Sequence, residues 1–132
     1  IIICTNRIIS REFLRECRNV PVYNIHVGYL PNYRGVYGGF WAIFNKELDK
    51  VGVTVHLVEP GIDTGSIVFR GCLDGWKDYS ILQLPLIQIN KALESHEKWL
   101  LNRPVIIEKN SDIYPIYYHP TLTEMFKFLI RR

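Results

Sequence analysis

Two β-type runs flanking one short helical pattern constrain this chain more than any other feature. Ile1-Ile2-Ile3-Cys4 is apolar throughout, the pattern of a strand buried on both faces. Val20 to His26 is a second run, rich in branched and aromatic residues. Between them Ser10 occupies an N-cap position, with Phe13 and Leu14 as the apolar side of a short helix. Strand, helix and strand in that order predict a βαβ unit, a parallel sheet and an α/β fold. Ile1 is not a methionine and opens in mid-strand, so residues upstream are expected.

The following segments are punctuated by turns. Pro31 to Gly39 holds one proline, three glycines and Asn32, and must be a loop. Phe40 to Phe44 has the composition of a short helix. Val51 to Val58 sets Thr54 and His56 against Val53, Val55 and Leu57, the period of a half-buried strand. Glu59-Pro60-Gly61 turns, and Ser66 to Arg70 is a further strand. A long helix is expected from Ser80 to about Leu101, with Leu82, Leu86, Ile89, Leu93 and Leu100 forming a stripe toward the sheet. Pro85 should kink it or delay its start. The tail places Tyr117-Tyr118-His119-Pro120 before a short amphipathic helix from Thr121.

Composition narrows the classes of function. A chain of 132 residues fits one compact domain, 1–132. Its net charge of +3, from 16 basic and 13 acidic residues, forms no basic stripe. That argues against nucleic acid and suits an anionic small molecule. Three widely spaced cysteines, Cys4, Cys17 and Cys72, point to buried or inert thiols in a reducing compartment, the cytoplasm, and not to a disulfide framework or a zinc site. No apolar run approaches the ~20 residues that cross a bilayer, so no membrane partner is expected.

Three segments carry the chemistry. Asn24 and His26 are two apart on a strand and project to one face near its carboxyl end, where α/β sheets bind ligands. An amide and an imidazole there can both donate to a developing oxyanion; alternatively Asn24 caps the strand and His26 is a core histidine. Asp63, between Gly61 and Gly65, could hold a water, accept a proton from an amine, or keep His26 protonated; its simpler reading is a turn aspartate. His56, facing outward or bracing the Asp63 loop, is assigned a structural role.

Taken in order, Asn24-Ile25-His26, Leu30-Pro31, Tyr33-Arg34-Gly35, Gly52-Val53-Thr54-Val55-His56 and Gly61-Ile62-Asp63-Thr64-Gly65 resemble the formyltransferase superfamily. Each motif is weak alone; five in the right order are specific. The resemblance implies a Rossmann-like fold and an Asn24, His26, Asp63 triad that needs no metal. It also implies 10-formyltetrahydrofolate as co-substrate, held around Ile9 and Glu59, Gly61, Ile62 and Asp63. The acceptor implied is the amine of a small molecule, with Tyr29, Arg34 and Gly35 beside it. The Arg34 to Trp41 loop looks most like the nucleotide-sugar enzymes. Alternatives are formylation of glycinamide ribonucleotide or methionyl-tRNA, hydrolysis of the formyl donor, and a non-catalytic relic; a homodimer is also open.

Two features depart from the family. Val27-Gly28-Tyr29 stands where a Pro-Ser or Gly-Ser pair is usual, so Tyr29 could offer the acceptor a stacking face. The family's first strand–helix units, with their glycine-containing phosphate loop, have no counterpart here, and each βαβ unit takes roughly 30 residues or more. Residues 1–132 are therefore expected to be the carboxy-terminal part of the catalytic domain and to transfer formyl poorly alone. Turnover measured for residues 1–132 and for the full-length protein at equal concentration checks this; comparable rates from a monomeric 1–132 would refute it.

Overall fold

A computed structural model describes residues 1–101, 105–110 and 113–131. Its main sheet contains β1 (Ile2–Ile3), β2 (Tyr23–His26), β4 (Gly52–Leu57) and β5 (Ile67–Cys72), in the order β1-β2-β4-β5. A second pairing joins β3 (Arg34–Gly35) to β6 (Ile116–Tyr117) in parallel. The helices are α1 (Arg11–Glu16), α2 (Gly38–Phe44), α3 (Leu84–Glu94) and α4 (Leu122–Arg131).

The βαβ unit forms as its residues imply. The Ser10 hydroxyl accepts the Phe13 N–H at 3.1 Å and caps α1, which connects β1 to its parallel neighbour β2. Beyond β2 the sheet departs from the expected parallel arrangement, because β2 and β4, and β4 and β5, are antiparallel. The β4–β5 connection is too short for the crossover that parallel neighbours need. β1 also departs from expectation. It lies at the sheet edge with Ile1 and Ile2 nearly half exposed, because among the described residues only β2 pairs with it.

Register matters most between β2 and β4. Asn24 lies opposite His56, and His26 opposite Thr54, so these four polar side chains share one face. Tyr23, Ile25, Val53 and Val55 take the other face and pack with Ala92 and Trp99. β4 is therefore buried on both faces and not half-buried, since its polar side meets protein and not solvent. The Thr54 hydroxyl donates to the Gly28 carbonyl at 2.8 Å and accepts the Leu30 N–H at 3.0 Å. That pair of bonds fixes the loop after β2.

The long helix is split. Pro85 falls in the first turn of α3, so the helix starts at Leu84, and a π-helical stretch, Glu97–Leu101, follows its end. Of the expected stripe Ile89 packs against the sheet-side core, whereas Leu82, Leu86, Leu93 and Leu100 are exposed. Leu84, Gln88 and Ala92, spaced by four, face the protein instead. Gln88 Nε2 donates to the Gly52 carbonyl at 2.5 Å, which ties this face to β4. A second cluster of Tyr33, Phe40, Trp41, Val51, Leu84 and Phe128 gathers α2, α3 and α4. Cys4 and Cys72 are exposed and not buried; desolvation raises the pKa of both thiols, which keeps them protonated and suits inert cysteines.

Thr54→Val keeps the volume of a fully buried side chain but leaves the Leu30 N–H and the Gly28 carbonyl without their partner. It should destabilise the protein by about 2 kcal/mol in urea unfolding, and a loss under half that would show that the loop finds other partners.

Candidate active site

The loop after β4 carries Asp63 in the left-handed region, with φ of 49°. This conformation is uncommon outside glycine, though aspartate tolerates it better than most residues. Gly61, at φ of 127°, turns the chain just before it. The loop is held from both sides. Arg34 Nε donates to the Ile62 carbonyl at 3.0 Å, Asn110 Nδ2 donates to the Asp63 carbonyl, and Thr64 Oγ1 donates to the Pro60 carbonyl at 3.2 Å.

The Asp63 carboxylate lies between two imidazoles. Its Oδ2 accepts the Gly35 N–H at 2.8 Å and lies 3.5 Å from His26 Nδ1. Its Oδ1 lies 3.5 Å from His56 Nε2. Gly35 can approach this closely because it adopts φ of 93° and has no side chain; a Cβ there would overlap the Tyr117 carbonyl. His26 Nε2 donates to the Tyr33 carbonyl at 2.7 Å, and Asn24 Nδ2 lies 3.2 Å from His56 Nε2. Asn24, His56, Asp63 and His26 thus form one continuous polar chain across β2, β4 and the loop.

Their electrostatics follow from burial and mutual charge. Burial alone would raise the Asp63 pKa, but His26, the hydrogen bond from His56 and the Gly35 N–H together overcome it and hold the carboxyl at about 2. Burial lowers the His26 pKa from its ordinary value, against the pull of Asp63 and of the Tyr33 carbonyl. Both ring nitrogens of His26 face acceptors, so a proton arriving there finds both N–H groups satisfied.

An open cleft of about 240 Å³ borders this chain. Ile9, Glu59, Gly61, Ile62 and Asp63 line it together with Asn24, Gly35 and His56, and Tyr117, Tyr118 and His119 stand at its other side. His26 lies behind Asp63 and is not part of the cleft wall. Tyr29 and Arg34 lie off the cleft as well. The Arg70 guanidinium sits over the Tyr29 ring, 5.0 Å from its centroid. Arg34 is buried, and its guanidinium holds the Ile62 and Tyr114 carbonyls.

His56 is the residue that sequence reasoning left out of the site. The signal was its spacing of two from Thr54 on a strand whose register sets it opposite Asn24. Alternation alone could not say whether the polar face met solvent or a ligand.

The chain matches the formyl transferase family over residues 1–101. Methionyl-tRNA formyltransferase of Clostridium acetobutylicum is 32% identical over 97 residues, which cover 71% of this chain and 30% of that protein. This chain therefore spans less than a third of that relative's length. The fold is similar to the formyltransferase PseJ of Anoxybacillus kamchatkensis, solved with UDP-4,6-dideoxy-4-formamido-L-AltNAc and tetrahydrofolate, at a TM-score of 0.68 and 23% identity. That match covers 98% of this chain and 68% of the other. WlaRD, a sugar 3N-formyl transferase solved in the presence of dTDP and 5-N-formyl-THF, matches at a TM-score of 0.58 and 26% identity, over 88% of this chain and 43% of that one.

The shifted groups set a pH dependence. A carboxyl held at about 2 contributes stability that is complete above the ordinary 3.8 and is lost as pH falls through 2. The gap is equivalent to about 2 kcal/mol. His26, also shifted down, weakens the fold as pH falls below 6.5. Asp63→Asn should therefore remove the acid-sensitive step near pH 2–4 from thermal melts while keeping the step above it; an unchanged acid limb would show that the carboxylate is not held in this way.

Proposed function

This chain belongs to the formyl transferase family, and from that premise we propose that it forms part of the catalytic domain of an enzyme moving a formyl group from 10-formyltetrahydrofolate to an amine. The observation that carries the reading is the Asp63 carboxylate, on the wall of a cleft and flanked by two imidazoles at 3.5 Å each. At about 240 Å³ the cleft is smaller than the ~300–1,000 Å³ usual for drug-sized ligands. It therefore suits one end of a folate, held between Ile9 and the loop from Glu59 to Ile62, with the remainder reaching solvent.

The formyl donor supplies an electrophilic carbon; the amine nitrogen adds to it, the carbonyl electrons move to oxygen, and the tetrahedral oxyanion then collapses with cleavage of the carbon–nitrogen bond to the folate. Asn24, on the cleft wall, offers an amide N–H to the oxyanion that develops. Asp63 faces the positive charge that grows on the attacking nitrogen. With its pKa at about 2 it is a weak base by itself. His26 behind it is better matched, so the proton lost by the amine passes along Asp63 to His26 and then returns to the leaving nitrogen. In the resting protein burial disfavours the imidazolium; His26 thus serves as a transient proton holder more than as a standing positive charge.

For the acceptor we propose an amino sugar nucleotide, in keeping with the likeness to WlaRD. The rings of Tyr37 and His119, 5.2 Å apart, and the exposed Tyr118 by the cleft offer faces on which a base could stack. The 32% identity to a methionyl-tRNA formyltransferase supports a second reading, with a charged transfer RNA as acceptor.

The full-length protein, supplied with 10-formyltetrahydrofolate and a panel of amino sugar nucleotides, glycinamide ribonucleotide and methionyl-tRNA, should add one formyl group to one class, read by mass. His26→Ala and Asp63→Asn should each lower that turnover by about a hundredfold or more. Near-normal rates in both variants would remove the proposed roles of these residues.

A further inference from the structure

The acid of the site stands in a backbone conformation that the bonds within its own loop do not hold. Asp63 has φ of 49°, a left-handed conformation whose cost to a residue with a side chain is of the same order as one net hydrogen bond. Inside the loop, Thr64 Oγ1 donates to the Pro60 carbonyl, and Glu59 accepts the Ser66 N–H and hydroxyl. At the loop base the Leu57 N–H donates to the Ser66 carbonyl at 2.9 Å. None of these bonds uses the carbonyl of Ile62 or of Asp63.

Those two carbonyls are taken from outside the loop. Arg34 Nε donates to the Ile62 carbonyl at 3.0 Å, and Asn110 Nδ2 donates to the Asp63 carbonyl. A backbone carbonyl only accepts, so the Asn110 amide must present its NH2 group here, whatever else it touches. The Ile62 carbonyl belongs to the peptide plane before Asp63, and the Asp63 carbonyl to the plane after it. Peptide units are rigid, so holding both planes sets φ and ψ at Asp63 and the direction in which its side chain leaves the backbone.

Asn110 is itself anchored to the sheet. The Ile67 N–H donates to the Glu108 carbonyl at 2.8 Å, and the Ile107 N–H donates to the Ile67 carbonyl at 2.9 Å, an antiparallel bridge at the start of β5. Ile67 is fully buried, which fixes the β5 side of that bridge. The Glu108 carboxylate also pairs with Arg70 Nη2 at 2.8 Å, and Arg70 Nη1 donates to the Leu30 carbonyl at 2.9 Å. Asn110 follows this anchor by two residues and reaches Asp63 across 47 positions of sequence.

We infer that Asn110 is a positioning residue for Asp63: it holds the peptide plane after the acid, as Arg34 holds the one before, and so aims the carboxylate between His26 and His56. Its part in turnover rests on the formyl-transfer reading above, in which Asp63 faces the attacking amine. Without the Asn110 bond the plane between Asp63 and Thr64 is free to rotate, and Asp63 can relax out of the left-handed region. The carboxylate then leaves the Gly35 N–H and both imidazoles together, since all three contacts depend on the same side-chain direction. Misplacing a reacting group in this way lowers the rate of the chemical step more than it weakens ligand binding.

Amide hydrogen exchange in the full-length protein reads the aim of the carboxylate, because the Gly35 N–H is bonded to Asp63 Oδ2. Asn110→Leu and Asn110→Ala both remove the donor, one with bulk and one without. In each, Gly35 should exchange about tenfold faster, while Leu57 at the loop base keeps its parent rate. The kcat for the amine that the parent formylates should fall about tenfold, with folate affinity within about threefold because Arg34 still holds the Ile62 carbonyl. Asn110→Gln, which keeps an amide donor on a longer side chain, should recover most of the Gly35 protection and of kcat. An unchanged Gly35 rate, an equal acceleration at Leu57, an unchanged kcat, or a Gln variant as impaired as the Leu variant would overturn the proposal. A parent protein that binds no folate would defeat the formyl-transfer reading instead, and Gly35 exchange would still decide whether Asn110 aims the carboxylate.

Discussion

A slip of β4 by one residue against β2 would turn Thr54 and His56 to the opposite face and bring Val55 into the site beside Asn24 and His26. Every feature of the site depends on that register. The hydrophobic face enforces it: Tyr23, Ile25, Val53 and Val55 can be buried against Ala92 and Trp99 in only one alignment. Trp99 is fully buried and donates its indole N–H to the Ala92 carbonyl at 2.8 Å, so the covering layer is itself fixed. Removing a buried indole of this kind typically costs about 3–5 kcal/mol. The position of the polar atoms thus follows from packing on the far side of the same two strands.

The carboxylate completes what the register begins. His26 and His56 come from different strands, with ring centroids 6.3 Å apart. That separation leaves room for one carboxylate between them. Asp63 enters from a loop, and its left-handed backbone is held by Arg34 and Gly35 on β3. Arg34 thus contributes to the site from outside the cleft, by fixing the loop carbonyl one residue before Asp63. Its geometry is that of a scaffold cation, with the guanidinium committed to the Ile62 and Tyr114 carbonyls.

Much of this was legible in the sequence where local chemistry decides the outcome. Ser10 as a cap, Pro85 in the first turn of α3, and the Asn24–His26 pair on a strand all follow from side-chain and backbone preferences acting within a few residues. Misreadings arose where a choice between faces depended on partners far along the chain. Five large apolar residues at helical spacing gave α3 a stripe, but not the knowledge that Gln88 would reach the Gly52 carbonyl and turn Leu86 and Leu93 outward. Alternation on β4 was read correctly as period two. Its polar face was assigned to solvent because that is the common reason for alternation, and a functional face looks the same in sequence. The Asn24–His56 contact spans 32 positions and only the fold reveals it.

The carboxy-terminal tail is coupled to the same centre. Tyr33 links them: its carbonyl accepts the hydrogen bond from His26 Nε2, its hydroxyl donates to Glu47 at 2.8 Å, and its ring lies 5.2 Å from Tyr117. Burial and the Glu47 carboxylate raise the Tyr33 pKa, so the phenol keeps its proton and remains a donor. Trp41 Nε1 donates to the Tyr118 carbonyl at 2.9 Å, and Arg34 Nη1 donates to that of Tyr114 at 3.0 Å. β6 is only two residues long, too short for its ladder alone to hold the tail. These side-chain bonds supply the remainder, and one of them comes from Arg34, which also fixes the Asp63 loop. A displacement of Tyr114–Tyr118 therefore pulls on Arg34 and Gly35, and through them on the carboxylate. Occupation of the cleft by a ligand touching Tyr117 and Tyr118 would be transmitted to Asp63 by the same bonds, because the tail and the acid are held by adjacent residues of β3.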